Sequence, residues 1–352
     1  MSPDVARIID ANFNRAREAI RVMEDYARFI QNDPAGCEAA KRLRHELAAA
    51  YHQMPVDELL SARDTPNDVG TTISTLTERT RQDGCDVLTA SAKRLPEALR
   101  TIEEYTKTFD APLAATLEAI RYRAYDLEQR LVLRSQRSAR FAKVRLYVLI
   151  TADLCRKDWR QSAIDAIAGG AGCVQLREKE LEDGELLARA RELAAICREH
   201  GALFIVNDRP DIAALTDADG VHLGQSDMSV AQARRIVGPR RLVGLSTHTP
   251  EQFHAAVESQ PDYISVGPMF LSTTKPQDHV PGPDLLALAV RETQIPVVAV
   301  GGITTRNLPQ LAAVIATPAY LRCVAACSAV TGADNVRQAC ATFLKALPHT
   351  QH

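Results

Sequence analysis

No apolar run in this chain approaches the roughly 18 residues that a helix needs to cross a bilayer, which argues against a membrane span. Nor does the opening Met1-Ser2-Pro3-Asp4-Val5 place a basic stretch before an apolar one, so no secretory leader is expected and a cytoplasmic location is. Charge of one sign is also missing: 42 Lys and Arg against 44 Asp and Glu leave a net −2. That balance offers no global field to recruit nucleic acid or an anionic membrane, while local phosphate sites stay open. The eight cysteines are scattered, and the closest pair, Cys323 and Cys327, has neither the spacing nor the neighbouring histidine of a zinc site. They read as buried thiols. Gly-x-Ser-x-Gly is absent throughout, and no Gly-x-x-x-x-Gly-Lys-Ser/Thr loop occurs before residue 134, which excludes the hydrolase and nucleotide folds built on those turns. What is present is an ordinary globular composition, 46% hydrophobic and 24% charged over 352 residues, a length that suits two domains.

Residues 1 to about 133 are rich in Ala, Leu, Arg and Glu and show no strand alternation, so an all-α domain is expected there. It repeats itself. Arg17-Glu18-Ala19-Ile20-Arg21-Val22-Met23-Glu24-Asp25-Tyr26 aligns with Pro96-Glu97-Ala98-Leu99-Arg100-Thr101-Ile102-Glu103-Glu104-Tyr105, and the same offset lays Arg42 and Arg44 on Arg121 and Arg123. Two related helical hairpins that bury their apolar faces on each other would account for this. Residues 134–144 are basic and polar, and are read as a linker. Beyond them, eight short apolar runs (146–151, 173–179, 202–208, 221–225, 242–246, 263–268, 296–302 and 324–330) alternate with helical patterns such as 185–200, 230–237 and 250–259. Parallel βα units follow, and eight of them over residues 145–352 make a (β/α)8 TIM barrel, giving an α/β fold preceded by a helical domain.

Each run ends in polar residues, and in such a barrel the carboxyl ends of the strands carry the active site. In the second run, Gln175, Arg177 and Lys179 fall on one face by the two-residue period, a set suited to a polyanion unless the charges merely reach solvent. Asp208 and Asp227 close the third and fourth runs, as a hard divalent ion held by carboxylates and substrate oxygens would require, and Mg²⁺ is the natural choice. A pair of acids for glycoside hydrolysis is the competing reading, disfavoured by the cations beside them. Asp219 belongs to the opposite rim. After the sixth run, Ser272, Thr273, Thr274 and Lys275 place three hydroxyls and a charge on a loop able to close over phosphate. Ser246 and His248 are too close in sequence for a hydrolase dyad, and His222 reads as an interior histidine. Gly301-Gly302 and Cys327-Ser328-Ala329 lie after the seventh and eighth runs, where barrels commonly bind a phosphate through backbone N–H groups.

Taken in order, Gln-Leu-Arg-Glu-Lys, Val-Asn-Asp-Arg, Asp-Gly-Val-His-Leu-Gly-Gln-Ser-Asp, Gly-Leu-Ser-Thr-His, Val-Gly-Pro-Met-Phe-Leu-Ser-Thr-Thr-Lys, Gly-Gly-Ile and Ser-Ala-Val resemble the thiamine-phosphate synthase family, over roughly residues 145–330. The resemblance implies condensation of hydroxymethylpyrimidine diphosphate with hydroxyethylthiazole phosphate, with loss of diphosphate and Mg²⁺ as cofactor. It assigns the pyrimidine diphosphate to Gln175, Leu176, Arg177, Glu178, Lys179, Asn207, Ser246 and Lys275, and the metal to Asp208 and Asp227. Thiazole phosphate goes to Ser272, Thr273, Thr274, Gly302, Cys327 and Ser328. Arg177, Lys179, Ser246 and Lys275 become the catalytic set. The approach to the eighth strand, Ala316 to Cys323, departs from the family's Gly-Ala-Asp-Gly. Residues 1–133 resemble the helical domain fused upstream of the synthase in some bacteria, through Asp10-Ala11-Asn12-Phe13-Asn14-Arg15, Glu24-Asp25-Tyr26 and Arg63-Asp64-Thr65, and that likeness implies a pyrimidine-phosphate kinase. Two rivals stay open: an isomerase like the thiazole tautomerase on the same barrel, and a helical half that is only structural or self-associating.

Overall fold

The computed structural model describes residues 1–69, 80–271, 280–311, 314 and 321–347, and the chain divides into two compact units, Met1–Gln136 and Arg137–His352. In the first unit α1 (Pro3–Asp25) starts where Ser2 accepts the N–H of Val5, with Pro3 filling the first helical position. A π-turn (Tyr26–Ile30) leads to α2 (Pro34–Tyr51), which Asp33 caps through the Gly36 N–H. The short α3 (Val56–Ser61), α4 (Gly84–Thr106) and α5 (Ala111–Phe141) follow. Ile9, Phe13, Ala16, Ile20 and Met23 form the buried stripe of α1, and Leu88, Ala92, Leu95, Leu99 and Ile102 that of α4. Each large side chain so buried contributes about 1.5–3 kcal/mol, and the two repeat-related helices pack along one another.

The repeat extends to its ion pairs. Arg21 reaches Glu24 at 3.6 Å, and at the same offset Arg100 reaches Glu103 at 3.1 Å. The partners on the second helix of each hairpin differ: Glu24 takes Arg44, whereas Glu103 takes Arg121, the counterpart of Arg42. α1 begins at Pro3, well before Asp10 and Asn12. Both are buried in mid-helix, with Asn12 donating to the Ile8 carbonyl.

The expected linker is helical as far as Phe141. Its polarity misled because its contacts come singly rather than as a stripe. Ser135 shares a 2.7 Å hydrogen bond with Tyr26, Arg137 pairs with Asp262 at 2.7 Å, and Phe141 is fully buried.

In the second unit, β1 (Leu146–Ile150), β2 (Cys173–Leu176), β3 (Leu203–Asn207), β4 (Gly220–Leu223), β5 (Leu242–Thr247), β6 (Tyr263–Val266), β7 (Val297–Val300) and β8 (Leu321–Ala326) pair in sequence order and close β8 on β1. All pairs are parallel, as in Val148 opposite Val174 and Leu146 opposite Val324. The strands are joined by α6 (Trp159–Ala168), α7 (Asp183–His200), α8 (Pro210–Leu215), α9 (Val230–Val237), α10 (Pro250–Ser259) and α11 (Gly282–Glu292), with α12 (Ser328–Thr331) and α13 (Val336–Ala346) after β8. The eightfold barrel is thus as the sequence implies. Two bounds are corrected. β2 stops at Leu176, so Arg177 and Lys179 stand beyond the strand. The eighth strand ends at Ala326, because Cys327 leaves the strand (φ −118°, ψ −106°) and its carbonyl accepts the N–H groups of Val330 and Thr331.

Alternate residues of each strand face outward to the shell helices, as Val148, Val174, Val221 and Ile264 do. The other set fills the barrel. Its amino-terminal end is closed by Phe141, Val144, Tyr147, Cys173, Leu242 and Tyr263. Tyr263 has room only because residue 244 is glycine, since a Cβ there would lie 2.1 Å from the Tyr263 ring. Among the described residues, no helix is long and apolar enough to cross a membrane.

Candidate active site

The strand period that buries apolar groups low in the barrel delivers polar ones near its other end: Gln175, Asn207, His222, Ser246 and Ser265. All five line a cavity of about 490 Å³ that also takes in Arg177, Gly301, Gly302, Cys327 and Ser328. It lies at the carboxyl rim, within the 300–1,000 Å³ usual for small-ligand sites.

Beside it, the Asp208 and Asp227 carboxylates lie close enough to act on one another electrostatically. Asp208 is held in the left-handed region (φ 62°), its N–H bonded to the His222 carbonyl at 2.8 Å. Asp227 is fixed by the Gly224 N–H, 2.6 Å from Oδ2. Burial and the facing Asp227 carboxylate push the Asp208 carboxyl up, and Lys179, at 3.5 Å, opposes them. Two carboxylates forced together are a site short of positive charge. Among the described residues no group of three or more His, Cys, Asp or Glu gathers as a metal cage. A pair of carboxylates beside a cavity fits Mg²⁺, which keeps waters and binds substrate phosphates rather than an all-protein cage.

His222 is buried, with Nδ1 3.0 Å from the Tyr263 hydroxyl and Nε2 2.9 Å from Ser246 Oγ. Burial pulls its pKa down to about 4, so it is neutral near pH 7. His248 does not serve Ser246, since its Nδ1 lies 2.6 Å from the Gly267 carbonyl. Cys327 lines the cavity as a thiol, which burial pushes up to about 11.

Gln175, Arg177, Asn207, Ser246, Gly302, Cys327 and Ser328 therefore meet around one space, with Lys179, Asp208 and Asp227 at its side. Leu176 points into the shell core, and Glu178 accepts from the Ala152 N–H at 2.9 Å and from Arg189 at 2.6 Å. Ser272, Thr273, Thr274 and Lys275 lie outside the described residues. Asp219 sits at the amino-terminal rim, accepting the Phe204 N–H at 2.8 Å. Three interior residues escaped the sequence reading: Tyr147, Ser265 and Tyr263. Their signal was a hydroxyl at an inward position of a strand that is otherwise apolar.

In the helical unit, Arg63 donates two hydrogen bonds to the buried Asp10 carboxylate, at 2.6 and 2.8 Å. Asn14 donates to the Asp10 carbonyl, and Arg7 to that of Asp64. Of the residues that stood out in sequence, Asp10, Asn14 and Arg63 thus come together, while Asn12 turns to its own helix.

Residues 146–330 match the family described as thiamine monophosphate synthase, and residues 7–130 match the ThiD2 family. Thiamine-phosphate synthase of Synechocystis sp. is 40% identical over 343 residues, spanning 97% of this chain and 96% of that one. Its namesake in Thermosynechococcus vestitus is 43% identical over 307 residues, 87% of this chain and 86% of its own. Among solved structures, a thiamine phosphate pyrophosphorylase from Pyrococcus furiosus superposes with a TM-score of 0.53 at 34% identity, covering 59% of this chain and 96% of that one.

Proposed function

The chain belongs to the thiamine-phosphate synthase family, a family of transferases, and on that premise we propose how the barrel cavity carries out the condensation of hydroxymethylpyrimidine diphosphate with hydroxyethylthiazole phosphate. The observation that carries the reading is the Asp208 and Asp227 pair facing one another beside a cavity lined by Arg177. Arg177 and Lys179 bring cations to the same place, as a metal-bound diphosphate would need.

Asp208 and Asp227 would hold Mg²⁺, whose charge, when it is bound, stabilises the departing diphosphate. Arg177 presents a planar fork to the phosphate oxygens and Lys179 a compact charge, with Lys275, beyond β6 in sequence, proposed as a third cation. The bond between the pyrimidine methylene carbon and the diphosphate oxygen breaks, and its electron pair leaves with diphosphate. The aminopyrimidine ring stabilises the cation left behind. The thiazole nitrogen then gives its lone pair to that carbon, and no proton moves. A neutral His222 and a protonated Cys327 suit such a reaction, which asks for charge neutralisation and positioning rather than a base or nucleophile. Gly302, Cys327 and Ser328, with Ser272, Thr273 and Thr274, would take the thiazole phosphate. The isomerase reading is set aside because it requires neither a diphosphate nor a metal.

Diphosphate release from the two substrates is expected only when both are present, and to fall to background when Mg²⁺ is chelated. Release that ignores chelation would overturn the metal assignment. We place the reaction in the cytoplasm.

For the helical unit the proposal is a second small-molecule site, around Asp10, Asn14 and Arg63, that phosphorylates a pyrimidine monophosphate. The match of residues 7–130 to ThiD2 favours it over a purely structural role. The full chain is expected to convert the monophosphate to the diphosphate with ATP·Mg²⁺, and to lose that step in Arg63→Ala while diphosphate release by the barrel persists. Failure to bind the monophosphate at all would leave the structural reading standing.

A further inference from the structure

The polar residues inside the barrel form one unbroken chain. Gln175 Nε2 donates to the Tyr147 hydroxyl at 2.8 Å, and the Tyr147 and Tyr263 hydroxyls are 3.1 Å apart. The Tyr263 hydroxyl lies 3.0 Å from His222 Nδ1, and His222 Nε2 lies 2.9 Å from Ser246 Oγ and 3.2 Å from Ser265 Oγ. Each hydroxyl has one proton to give, and a neutral imidazole has one as well. The Tyr147 oxygen receives an amide proton, so the order that leaves no hydroxyl proton of the chain unused sends its own to Tyr263, and that of Tyr263 to Nδ1. The imidazole proton is then confined to Nε2 and points at Ser246. Ser265 also donates to Ser246, at 3.3 Å, so the Ser246 proton is left for the cavity.

At the two ends of the chain, the Gln175 carboxamide therefore offers its oxygen as an acceptor, and Ser246 offers a donor. The complete reversal, with the Gln175 amide turned over, would invert each link, making Gln175 a donor and leaving His222 Nε2 to accept from Ser246 or Ser265. In the order the structure shows, the two ends are tied and opposite in character. Tyr263 is the link that ties them, although it does not itself line the cavity. Its ring is held by stacking on Phe141 (centroids 4.3 Å apart, planes at 8°) and against His222 (5.4 Å, 17°).

We propose that Tyr263 is a positioning residue that sets, through Tyr147 and His222, the donor and acceptor pattern by which the cavity selects its heterocycle. The polarity in the structure takes a ring that carries a donor on one side and an acceptor on the other, as an amino group beside an unprotonated ring nitrogen does. An oxo ring, with a carbonyl beside a ring N–H, presents the opposite order and must either break a link or invert the chain. This rests on the pyrimidine reading given above.

Two measurements on the full chain test it. In ligand-free protein with ¹⁵N-labelled histidine at pH 7, the His222 resonances, assigned by their loss in His222→Asn, should show Nε2 protonated and Nδ1 bare. In Tyr263→Phe, which keeps the stacked ring and removes the hydroxyl, both tautomers should appear. The preference for the aminopyrimidine diphosphate over its oxo analogue, as a ratio of kcat/KM, should fall by about tenfold or more in that variant, since mismatched buried polar groups are what reject an analogue. KM for thiazole phosphate should stay unchanged. Tyr147→Phe, which cuts the chain one link earlier, should act alike and serves if Tyr263→Phe does not fold. A wild-type His222 protonated at Nδ1, or an unchanged ratio in folded variants, would overturn the proposal. Failure of the pyrimidine reading would look different: neither diphosphate would react, while the His222 tautomer would still be the Nε2–H form.

Discussion

Asp227→Asn is expected to lower turnover by about a hundredfold or more and to leave the fold intact, because it removes a charge from the proposed metal site without removing volume. Asparagine keeps an acceptor for the Gly224 N–H, which Asp227 Oδ2 now receives at 2.6 Å. In the metal-free protein the substitution should even stabilise slightly, since Asp208 is buried against a like charge that the amide takes away. Asp208→Asn should behave in the same way, and asparagine tolerates the left-handed backbone at that position. The double variant should lose little more than either single one, because both serve one ion. Diphosphate release measured across a Mg²⁺ titration, beside a thermal melt, decides the matter. Wild-type turnover at ordinary Mg²⁺ in either variant sinks the assignment.

Much of this site was legible because the two-residue period of a strand and the polarity of a barrel act together. Apolar residues early in each run and polar ones late identify the rim, and Gln175 could be placed at the cavity on that rule, while Asn207 and Ser246 came from the resemblance. The rule fails where the backbone leaves the strand. Arg177 and Lys179 were read as strand residues, yet β2 stops before them, and they reach the site from the loop. The end of β8 was misread because Ala325-Ala326-Cys327-Ser328-Ala329-Val330 is uniformly small and apolar, with no turn residue to mark where sheet becomes helix. The last turns of α5 were hidden for the opposite reason. Their anchors, Ser135, Arg137 and Phe141, make long-range contacts that no local period records. Tyr263 shows the deepest limit. Its hydroxyl matters through Tyr147 on β1 and His222 on β4, a conjunction that exists only once the barrel has closed.

Gly302→Ala is expected to raise KM for thiazole phosphate by about ten- to a hundredfold while changing KM for the pyrimidine diphosphate little. The reason is local and twofold. Gly302 sits at φ 65°, where a Cβ costs about 1–2 kcal/mol, and that Cβ would lie 2.4 Å from the Phe270 carbonyl oxygen and 2.7 Å from that of Leu271. Those are backbone atoms of the segment after β6, so no side chain can swing aside and the two loops must part. Gly302 and the residues that follow Leu271 in sequence are the ones proposed to grip the phosphate, so parting the two segments is expected to spoil that subsite, whereas Arg177 and Asp208 follow β2 and β3. Gly201→Ala is the control for strain alone. It has φ 75° with nothing within 4 Å of the added Cβ, at the end of α7, and should cost stability without touching either KM. If Gly302→Ala instead raised KM for the pyrimidine diphosphate and left thiazole phosphate unaffected, the two subsites would have to be exchanged. If both constants were unmoved in a folded variant, the glycine-lined end of the cavity would hold no phosphate.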